Sequence, residues 1–334
     1  MEGTYELGDF ALQSGVVLPN AKLSYASHGT LNDAHDNVIV YPTWATGRHS
    51  ANEVFVGPGR ALDPERYFIV IPDMFTNGLS TSPSNCDPPY DGPRFPLVTA
   101  YDNVRAQHRL LTEHFGVARV QLAIGFSMSG QQAFHWGAHY PDLVERICSI
   151  CGSAKTSTHN WVYVSAMRAV MESADGWNDG ECRKWPPRLL RAVMRIAMTM
   201  LFSQDWYRAG GFRLAGASSA EEFITGGEAL LADWVPMDFY HQLETWLSAD
   251  VSANSTFNGD LDKALGAIRS RALVMPCDTD MYFRVEDNEL EVAKMPNAEL
   301  RVIHSVWGHA AGFPGQNPDD DMVIDGVVKE FLDG

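Results

Sequence analysis

Short apolar runs alternate with amphipathic stretches over the first half of the chain. The runs NVIVYPT, YFIVIPD and VQLAIGFS are rich in branched residues and bounded by turn formers, which is typical of buried strands. Helical patterns follow over residues 101–114 and 129–139. Strands that alternate with helices indicate βαβ units, so these patterns predict a parallel sheet.

The same rhythm returns near the end of the chain. RALVMPCDTD predicts a strand, VEDNELEVAKM a helix, LRVIHSV a further strand, and a last helix ends at Phe331. Both ends of the chain therefore belong to one sheet. The opening segments YELGDFALQSG and LPNAKLSYASHG alternate like a hairpin, which predicts two antiparallel strands at the sheet edge.

The region between Lys155 and Asp260 contains no strand pattern and reads as helices interrupted by Gly and Pro. We expect residues 1–154 and 261–334 to form the core and residues 155–260 to form an inserted helical cap. The cap holds six of the nine Trp and six of the 13 Met residues, namely Trp161, Trp177, Trp185, Trp206, Trp234, Trp246, Met167, Met171, Met194, Met198, Met200 and Met237. Such helices either pack only on each other or present an adaptable apolar wall to a substrate. They are also a candidate homodimer surface.

Composition narrows the class of protein. The chain has 334 residues, 45% of them hydrophobic and 20% charged, which suits a globular protein with a substantial core. Its net charge of -17 disfavours nucleic acid and anionic membranes as partners. The apolar run 192–202 contains an arginine and is too short to span a bilayer, and MEGTYELGDF lacks the features of a signal peptide. We therefore expect a cytoplasmic protein.

The five cysteines show no disulfide spacing, and their odd number suits a reducing compartment. Cys148 and Cys151 form a C-x-x-C pattern, which is also found in redox and zinc sites. This pair lies inside the apolar run VERICSICGSA, and no second pair completes a zinc site. We therefore interpret it as part of a buried strand and expect no metal.

The run AIGFSMSG contains the candidate nucleophile. Ser127 follows a predicted strand, precedes a predicted helix and lies two residues after Gly125, which is the context of a G-x-S-x-G nucleophile elbow. Ser129 stands at the fifth position, and serine is small enough for the tight turn. The alternative is an ordinary turn between a strand and a helix.

A serine hydroxyl needs a base and an acid that orients the base. In hydrolases with this elbow the chain order is serine, acid, histidine. Asp280 follows the strand RALVMPCDTD, and His309 lies in the turn VWGHAAG after the strand LRVIHSV. Asp278 and His304 are the competing candidates, but they lie nearer to or within the strands, so we favour Asp280 and His309.

An oxyanion intermediate needs two backbone donors. The amide after the nucleophile belongs to Met128, and the loop WATGRHS after NVIVYPT offers Ala45, with Trp44 as the alternative. Trp44 is also expected to form a wall of the substrate pocket. His49 in the same loop is interpreted as loop surface or pocket rim. Because nucleophile, base and donors are all protein groups, no cofactor is expected.

Several segments in order resemble the homoserine O-acetyltransferase family of α/β-hydrolases. They are YASHGTLNDAHDNVIV, the loop ending in TG, STSP, FPLVTAYDNVRAQHRLL, GFSMSGQQAFHWGAHYPD, CDTDMYF and WGHAAGFPG. The resemblance covers nearly the whole chain and implies the α/β-hydrolase fold. It also implies an acyl group carried on Ser127, with Asp280 and His309 completing the triad.

One departure from the family changes the expected acceptor. The acetyltransferases carry a Tyr-Arg-Ser whose arginine holds the acceptor's carboxylate, whereas this chain has Phe202 at that position, and Arg208 is displaced by more than a helical turn. Phe202 is therefore a candidate substrate contact. The chain more closely resembles the hydrolase branch, which implies a serine hydrolase of small to medium esters, lactones or amides. The alternative is an O-acyltransferase from acyl-CoA to a hydroxyl acceptor such as homoserine, and a third reading is a lyase or ligand-binding protein.

Overall fold

A computed structural model describes residues 1–177 and 182–334. One eight-stranded sheet has the order β1-β2-β4-β3-β5-β6-β7-β8. Its strands are β1 (Glu2–Ala11), β2 (Val17–His28), β3 (Val38–Val40), β4 (Phe68–Pro72), β5 (Val120–Phe126), β6 (Arg146–Ile150), β7 (Arg271–Met275) and β8 (Ala298–Leu300). The β1–β2 and β2–β4 pairs are antiparallel and all others are parallel. The predicted fold class, including the antiparallel hairpin at one edge, is confirmed.

Twelve α-helices join or flank these strands in the described part of the chain. They are α1 (His49–Asn52), α2 (Ala100–Arg109), α3 (Met128–His139), α4 (Thr158–Glu172), α5 (Pro187–Leu201), α6 (Gln204–Arg208), α7 (Ala220–Gly227), α8 (Ala229–Ala232), α9 (Pro236–Leu247), α10 (Leu261–Gly266), α11 (Val285–Val292) and α12 (Pro318–Asp333). A capping box between Thr99 and Asp102 begins α2, and a π-helical turn over Leu110–His114 extends it. None of these helices has both the length and the apolar character to cross a bilayer.

The central strands are buried on both faces, as the runs of branched residues predict. Val38 and Val40 of β3 pack into the core on one side of the sheet, whereas Ile39 packs into the core on the other. The second of these cores is continuous with the apolar faces of the helices that follow β6. This continuity seats those helices above the carboxyl ends of the parallel strands.

Helices α4–α9 lie between β6 and α10, and we call them the cap helices. In the described part of residues 155–260 no strand forms, and only an isolated bridge joins Lys155 to Asp250. Five of the six tryptophans are buried, while Trp161 is 54% exposed. Not every glycine of this region interrupts a helix, since Gly226 lies inside α7, which continues to Gly227. The domain boundaries and a dimer through the cap remain predictions.

The last predicted strand is shorter than the run LRVIHSV suggests. Strand β8 ends at Leu300, and Ile303 makes only an isolated bridge to Cys277. Pro276, which follows β7, accepts a hydrogen bond from the Ile303 N–H but has no N–H of its own to continue the ladder. His304 therefore lies in an irregular segment and not within a strand.

Candidate active site

Ser127 sits on the sharp turn between β5 and α3. Its backbone has φ 57° and ψ -126°, a conformation that non-glycine residues rarely adopt and that concentrates at functional sites. A Cβ atom at Gly125 would lie 2.2 Å from Ser129, so only glycine fits there. Ser129 is fully buried and its hydroxyl donates a hydrogen bond to the carbonyl of Pro42 at 2.5 Å. Serine at the fifth position of the elbow is thus compatible with the turn.

The structure brings the three predicted side chains together. Ser127 Oγ lies 2.9 Å from His309 Nε2, and His309 Nδ1 lies 2.8 Å from Asp280 Oδ2. All three residues are buried. The other oxygen of Asp280 accepts backbone hydrogen bonds from Tyr282 at 2.7 Å and from Phe283 at 3.3 Å. With the carboxylate fixed, the imidazole can hold its proton on Nδ1 and present Nε2 as an acceptor to the serine.

Aromatic rings hold the imidazole of His309 in place. The residue lies in a 3₁₀ helix over Gly308–Gly312. The Phe126 ring centroid lies 4.7 Å from that of His309, and the Tyr282 ring meets it edge to face, also at 4.7 Å. These contacts restrict rotation of the imidazole and keep the Ser127 hydroxyl within reach.

The competing pair lies elsewhere. His304 Nδ1 is 2.9 Å from Asp278 Oδ2, but their side chains are 80% and 40% exposed. Asp278 also accepts a hydrogen bond from the Ser305 N–H at 3.2 Å. Neither side chain lines the cavity at Ser127. This pair therefore closes a surface turn.

The predicted oxyanion donors lie beside the serine. Ala45 lines the cavity in the loop after β3, and Met128 is the first residue of α3, where helix N–H groups have no partner within the helix. In residues 1–177 and 182–334, neither backbone N–H has a hydrogen-bond partner. Trp44 also lines the cavity, with its ring edge to face against Phe126 and Phe313 at 5.4 Å. Trp44 thus lies in the wall of this cavity, and its contact with a substrate stays a prediction.

His49 is not loop surface. It is 8% exposed, and its Nδ1 lies 2.7 Å from Asp73 Oδ2. The Asp73 hydrogen bond raises the pKa of His49, and the His49 N–H donates to the same carboxylate at 3.0 Å. His49 is absent from the described lining of the cavity at Ser127, so this second buried histidine–aspartate pair anchors the start of α1.

The serine opens onto a small cavity of about 110 Å³. Cap helices α4, α5, α8 and α9 contribute most of its wall, and Trp44, Phe126 and Phe313 complete the apolar part. The described lining consists of Trp44, Ala45, Thr46, Phe126, Ser127, Tyr163, Met167, Met194, Ala197, Leu201, Leu230, Leu231, Phe239, Leu243, Trp246, Tyr282, His309 and Phe313. This set contains no carboxylate, lysine or arginine. The cap helices therefore pack on each other and also form an apolar wall of the site.

Phe202 lies outside that wall. Its ring stacks on Trp206 with centroids 4.2 Å apart, and it lines a neighbouring cavity of about 540 Å³. Leu201, Leu230 and Phe313 line both cavities and so stand between them. A direct substrate contact by Phe202 stays a prediction for the outer cavity.

Arg208 has no place at the reaction centre. Its side chain is 75% exposed and pairs with Asp205 in the same helical turn. The arginine displaced in sequence is therefore also displaced in space. Nothing in the described lining replaces the carboxylate-binding arginine of the acetyltransferases.

Cys151 lies beside the triad, and its Sγ falls within 4.8 Å of ligand atoms of Asp280 and His309. Burial, followed by the nearby Asp280 charge, raises the pKa of the Cys151 thiol well above its ordinary value. A protonated thiol is a poor metal ligand, and the two other groups already bind each other and Ser127. We therefore interpret Cys151 as a residue packed beside Asp280 and His309 and not as part of a metal site.

Tyr163 and Tyr282 line the cavity but were not predicted from the sequence. The hydroxyls of Tyr163 and Tyr282 lie 2.9 Å apart, and the Tyr282 hydroxyl donates to the carbonyl of Ala197 in α5 at 3.2 Å. Tyr282 follows Asp280 in CDTDMYF, so its proximity was foreseeable. Tyr163 carries no local signal, because only the folding of α4 over the sheet brings it there.

Comparison with known proteins identifies the family of the chain. A model of the alpha/beta hydrolase fold matches residues 36–315. The chain belongs to the alpha/beta hydrolase family. This α/β hydrolase is 35% identical over 341 residues to the ethyl acetate hydrolase of Pseudomonas veronii, covering 99% of this chain and 96% of the relative. It is 28% identical over 335 residues to the homoserine O-acetyltransferase of Chlorobium chlorochromatii, covering 96% and 93%.

A solved structure agrees with the sequence comparison. An acetylester hydrolase from Corynebacterium glutamicum matches this α/β hydrolase with a TM-score of 0.94 at 32% identity, covering 100% of this chain and 96% of that one. The two relatives with hydrolase names are more similar to the chain than the acetyltransferase is. The predicted resemblance, nearer to the hydrolase branch, is confirmed.

Proposed function

We propose that this α/β hydrolase is a serine esterase that cleaves small carboxylic esters through an acyl-enzyme on Ser127. The observation that carries the proposal is the chain of short contacts from Ser127 through His309 to Asp280, at the wall of a small apolar cavity. The described lining of the cavity has no carboxylate, lysine or arginine, so an uncharged ester fits it. His309 carries a charge there when it holds the proton taken from Ser127. An amino-acid acceptor would bring a carboxylate and an ammonium group with no partner there.

In the acylation step, the Ser127 hydroxyl attacks the ester carbonyl carbon while His309 Nε2 takes its proton. Asp280 stabilises the imidazolium that forms and keeps the remaining proton on Nδ1. Negative charge develops on the carbonyl oxygen, where it can be bound by the N–H groups of Ala45 and Met128, which have no other partner among the described residues. Collapse of the tetrahedral intermediate breaks the ester bond, and His309 gives its proton to the departing alcohol.

Deacylation uses the same groups with water as the nucleophile. His309 takes a proton from the water as its oxygen attacks the acyl carbon, and the same two amides bind the second oxyanion. Ser127 then leaves with the proton held by His309, which releases the carboxylic acid. Apart from the ester and this water, the groups used in both steps belong to the protein.

The dimensions of the cavity favour short chains. A space of about 110 Å³ accepts an acetyl or propionyl group with a small alcohol more readily than a long acyl chain. The names of the two similar hydrolases, an ethyl acetate hydrolase and an acetylester hydrolase, agree with this range. We therefore propose alkyl acetates as the substrate class.

The test is release of p-nitrophenol from p-nitrophenyl acetate by the wild type and by Ser127→Ala, with and without homoserine. Hydrolysis that requires Ser127 and is unaffected by homoserine supports the esterase. Acceleration by homoserine, with O-acetylhomoserine identified by mass spectrometry, would instead make the protein an acyltransferase. Unchanged release after Ser127→Ala would exclude the proposed acyl-enzyme.

A further inference from the structure

The loop that carries Ala45 has an unusual backbone. The N–H of Gly47 bonds to the carbonyl of Trp44 at 2.9 Å, which closes a tight turn with Ala45 and Thr46 at its centre. Thr46 has φ 65°, and a β-branched residue in the left-handed region is a genuine outlier. A turn of this kind persists only where its surroundings hold it.

The surroundings that hold the ends of this loop come from the core. Gln132 Nε2 donates to the carbonyl of Thr43 at 3.0 Å, and Asn77 Nδ2 donates to the carbonyl of Gly47 at 3.3 Å. Neither contact reaches the strained residue, Thr46. The centre of the turn therefore depends on another part of the molecule.

That part is a cap helix. Gln242 lies on α9, is completely buried, and its Oε1 accepts the hydrogen bond of the Thr46 N–H at 2.9 Å. The two residues are 196 positions apart in the chain. Its Nε2 atom has no hydrogen-bond partner within residues 1–177 and 182–334. Among the described residues, the hydrogen bond to Thr46 is thus the polar interaction of the Gln242 side chain.

We propose that Gln242 is a positioning residue for oxyanion binding, which holds the Ala45 amide in place from the cap. On one side of Ala45, the carbonyl of Trp44 accepts the Gly47 N–H. On the other side, Gln242 accepts the Thr46 N–H. Both peptides that flank Ala45 are then anchored, so its N–H is preorganised towards the cavity. The inference rests on the proposed function, because an oxyanion forms only if Ser127 attacks a carbonyl.

An alternative role for Gln242 is packing alone, and matched variants separate the two. Gln242→Met keeps the length and removes the acceptor, whereas Gln242→Glu keeps an acceptor oxygen. Thr245→Val is the control, because Thr245 is buried on the same helix and donates to the carbonyl of Val98 at 2.7 Å, away from the loop. Gln242→Asn, whose amide is too short to reach Thr46, replaces the methionine variant if that protein does not fold.

Steady-state hydrolysis of p-nitrophenyl acetate is measured together with inhibition by 1,1,1-trifluoroacetone, whose adduct with a serine bears an oxyanion. We expect Gln242→Met to lower kcat by about 10- to 100-fold with KM within about threefold of the wild type. The inhibition constant should rise by about the same factor as kcat/KM falls. Gln242→Glu should recover part of the rate, because it keeps the acceptor but brings a carboxylate near the oxyanion, and Thr245→Val should leave both values within about twofold.

Each result decides the matter. Equal losses in Gln242→Met and Thr245→Val, or a rate loss without weaker inhibition, would reduce Gln242 to a packing role. Wild-type rates in Gln242→Met, alongside an inactive Ser127→Ala, would overturn the positioning role and leave the esterase standing. If the wild type showed no hydrolysis that depends on Ser127, both the proposed esterase activity and the positioning role of Gln242 would be wrong.

Discussion

His304 Nδ1 lies 2.9 Å from Asp278 Oδ2, almost the same separation as that between His309 and Asp280. The chain therefore carries two histidine–aspartate pairs between the same two segments. What distinguishes them is solvent: the His304 side chain is 80% exposed, whereas that of His309 is 4% exposed. An exposed pair interacts weakly, and only the buried one reaches the nucleophile.

The two aspartates should consequently respond in opposite ways to the same substitution. Asp280→Asn should lower kcat by about 10⁴-fold, because the amide disfavours the tautomer of His309 that accepts the serine proton. Asp278→Asn should leave kcat within about twofold and change stability by less than about 1 kcal/mol. Kinetics with p-nitrophenyl acetate and urea unfolding check both. A severe loss of kcat in Asp278→Asn would mean that Asp280 is not the acid that orients His309.

Strain at the elbow predicts a difference between two inactive proteins. Ser127 adopts φ 57°, which glycine reaches without the cost that a side chain imposes. Ser127→Gly and Ser127→Ala both lack the nucleophile, yet the glycine variant should be the more stable by about 1 kcal/mol. Urea midpoints of the two variants measure the difference. A more stable alanine variant would mean that the turn stores no strain.

Much of the fold and the site could be predicted because the signals are local. The eight residues AIGFSMSG contain the whole nucleophile elbow. Asp280 and His309 follow strands whose carboxyl ends meet at one edge of a parallel sheet. Hydrophobic patterns identified the strands that are buried on both faces. In each case a few neighbouring residues carry the information.

The remainder depends on contacts between distant segments. The run LRVIHSV predicts one strand, but the neighbouring strand β7 is followed by Pro276, which has no N–H to continue the ladder beyond Leu300. His49 reads as loop surface because its partner Asp73 is invisible in the local pattern. Tyr163 and Gln242 reach the site only when the cap folds over the sheet, so sequence periodicity cannot reveal them.

The length of acyl chain that the esterase accepts should depend on Met194. Met194 and Met198 lie one turn apart on α5 and are equally buried, but only Met194 lines the cavity at Ser127, while Met198 lines the outer one. Met194→Ala should raise the ratio of kcat/KM for p-nitrophenyl hexanoate over acetate by about tenfold, because added methylenes gain burial. Met198→Ala is the control and should leave the ratio within about twofold. Equal changes in both variants would indicate that the two cavities act as one.

A buried carboxyl group holds the segment of the core that leads into the cap. Glu291 of α11 accepts the Ala154 N–H at 2.8 Å with one oxygen and the Asn288 side-chain amide at 2.8 Å with the other. That amide also donates to the carbonyl of Gly152 at 3.0 Å. The residues held in this way follow β6, where the chain leaves the sheet for the cap helices. Burial raises the pKa of Glu291 to about 8.

This raised pKa predicts how stability changes with pH. Between about pH 5 and 8 the folded protein keeps the Glu291 proton while the unfolded chain has lost it, so folded stability falls as pH rises through this window. The slope for one proton is about 1.4 kcal/mol per pH unit. Glu291→Gln should remove it, making the variant gain stability relative to the wild type as pH approaches 8. Glu289→Gln, at an exposed position of the same helix, is the control. Urea unfolding at each pH would contradict the prediction if all three proteins followed parallel curves.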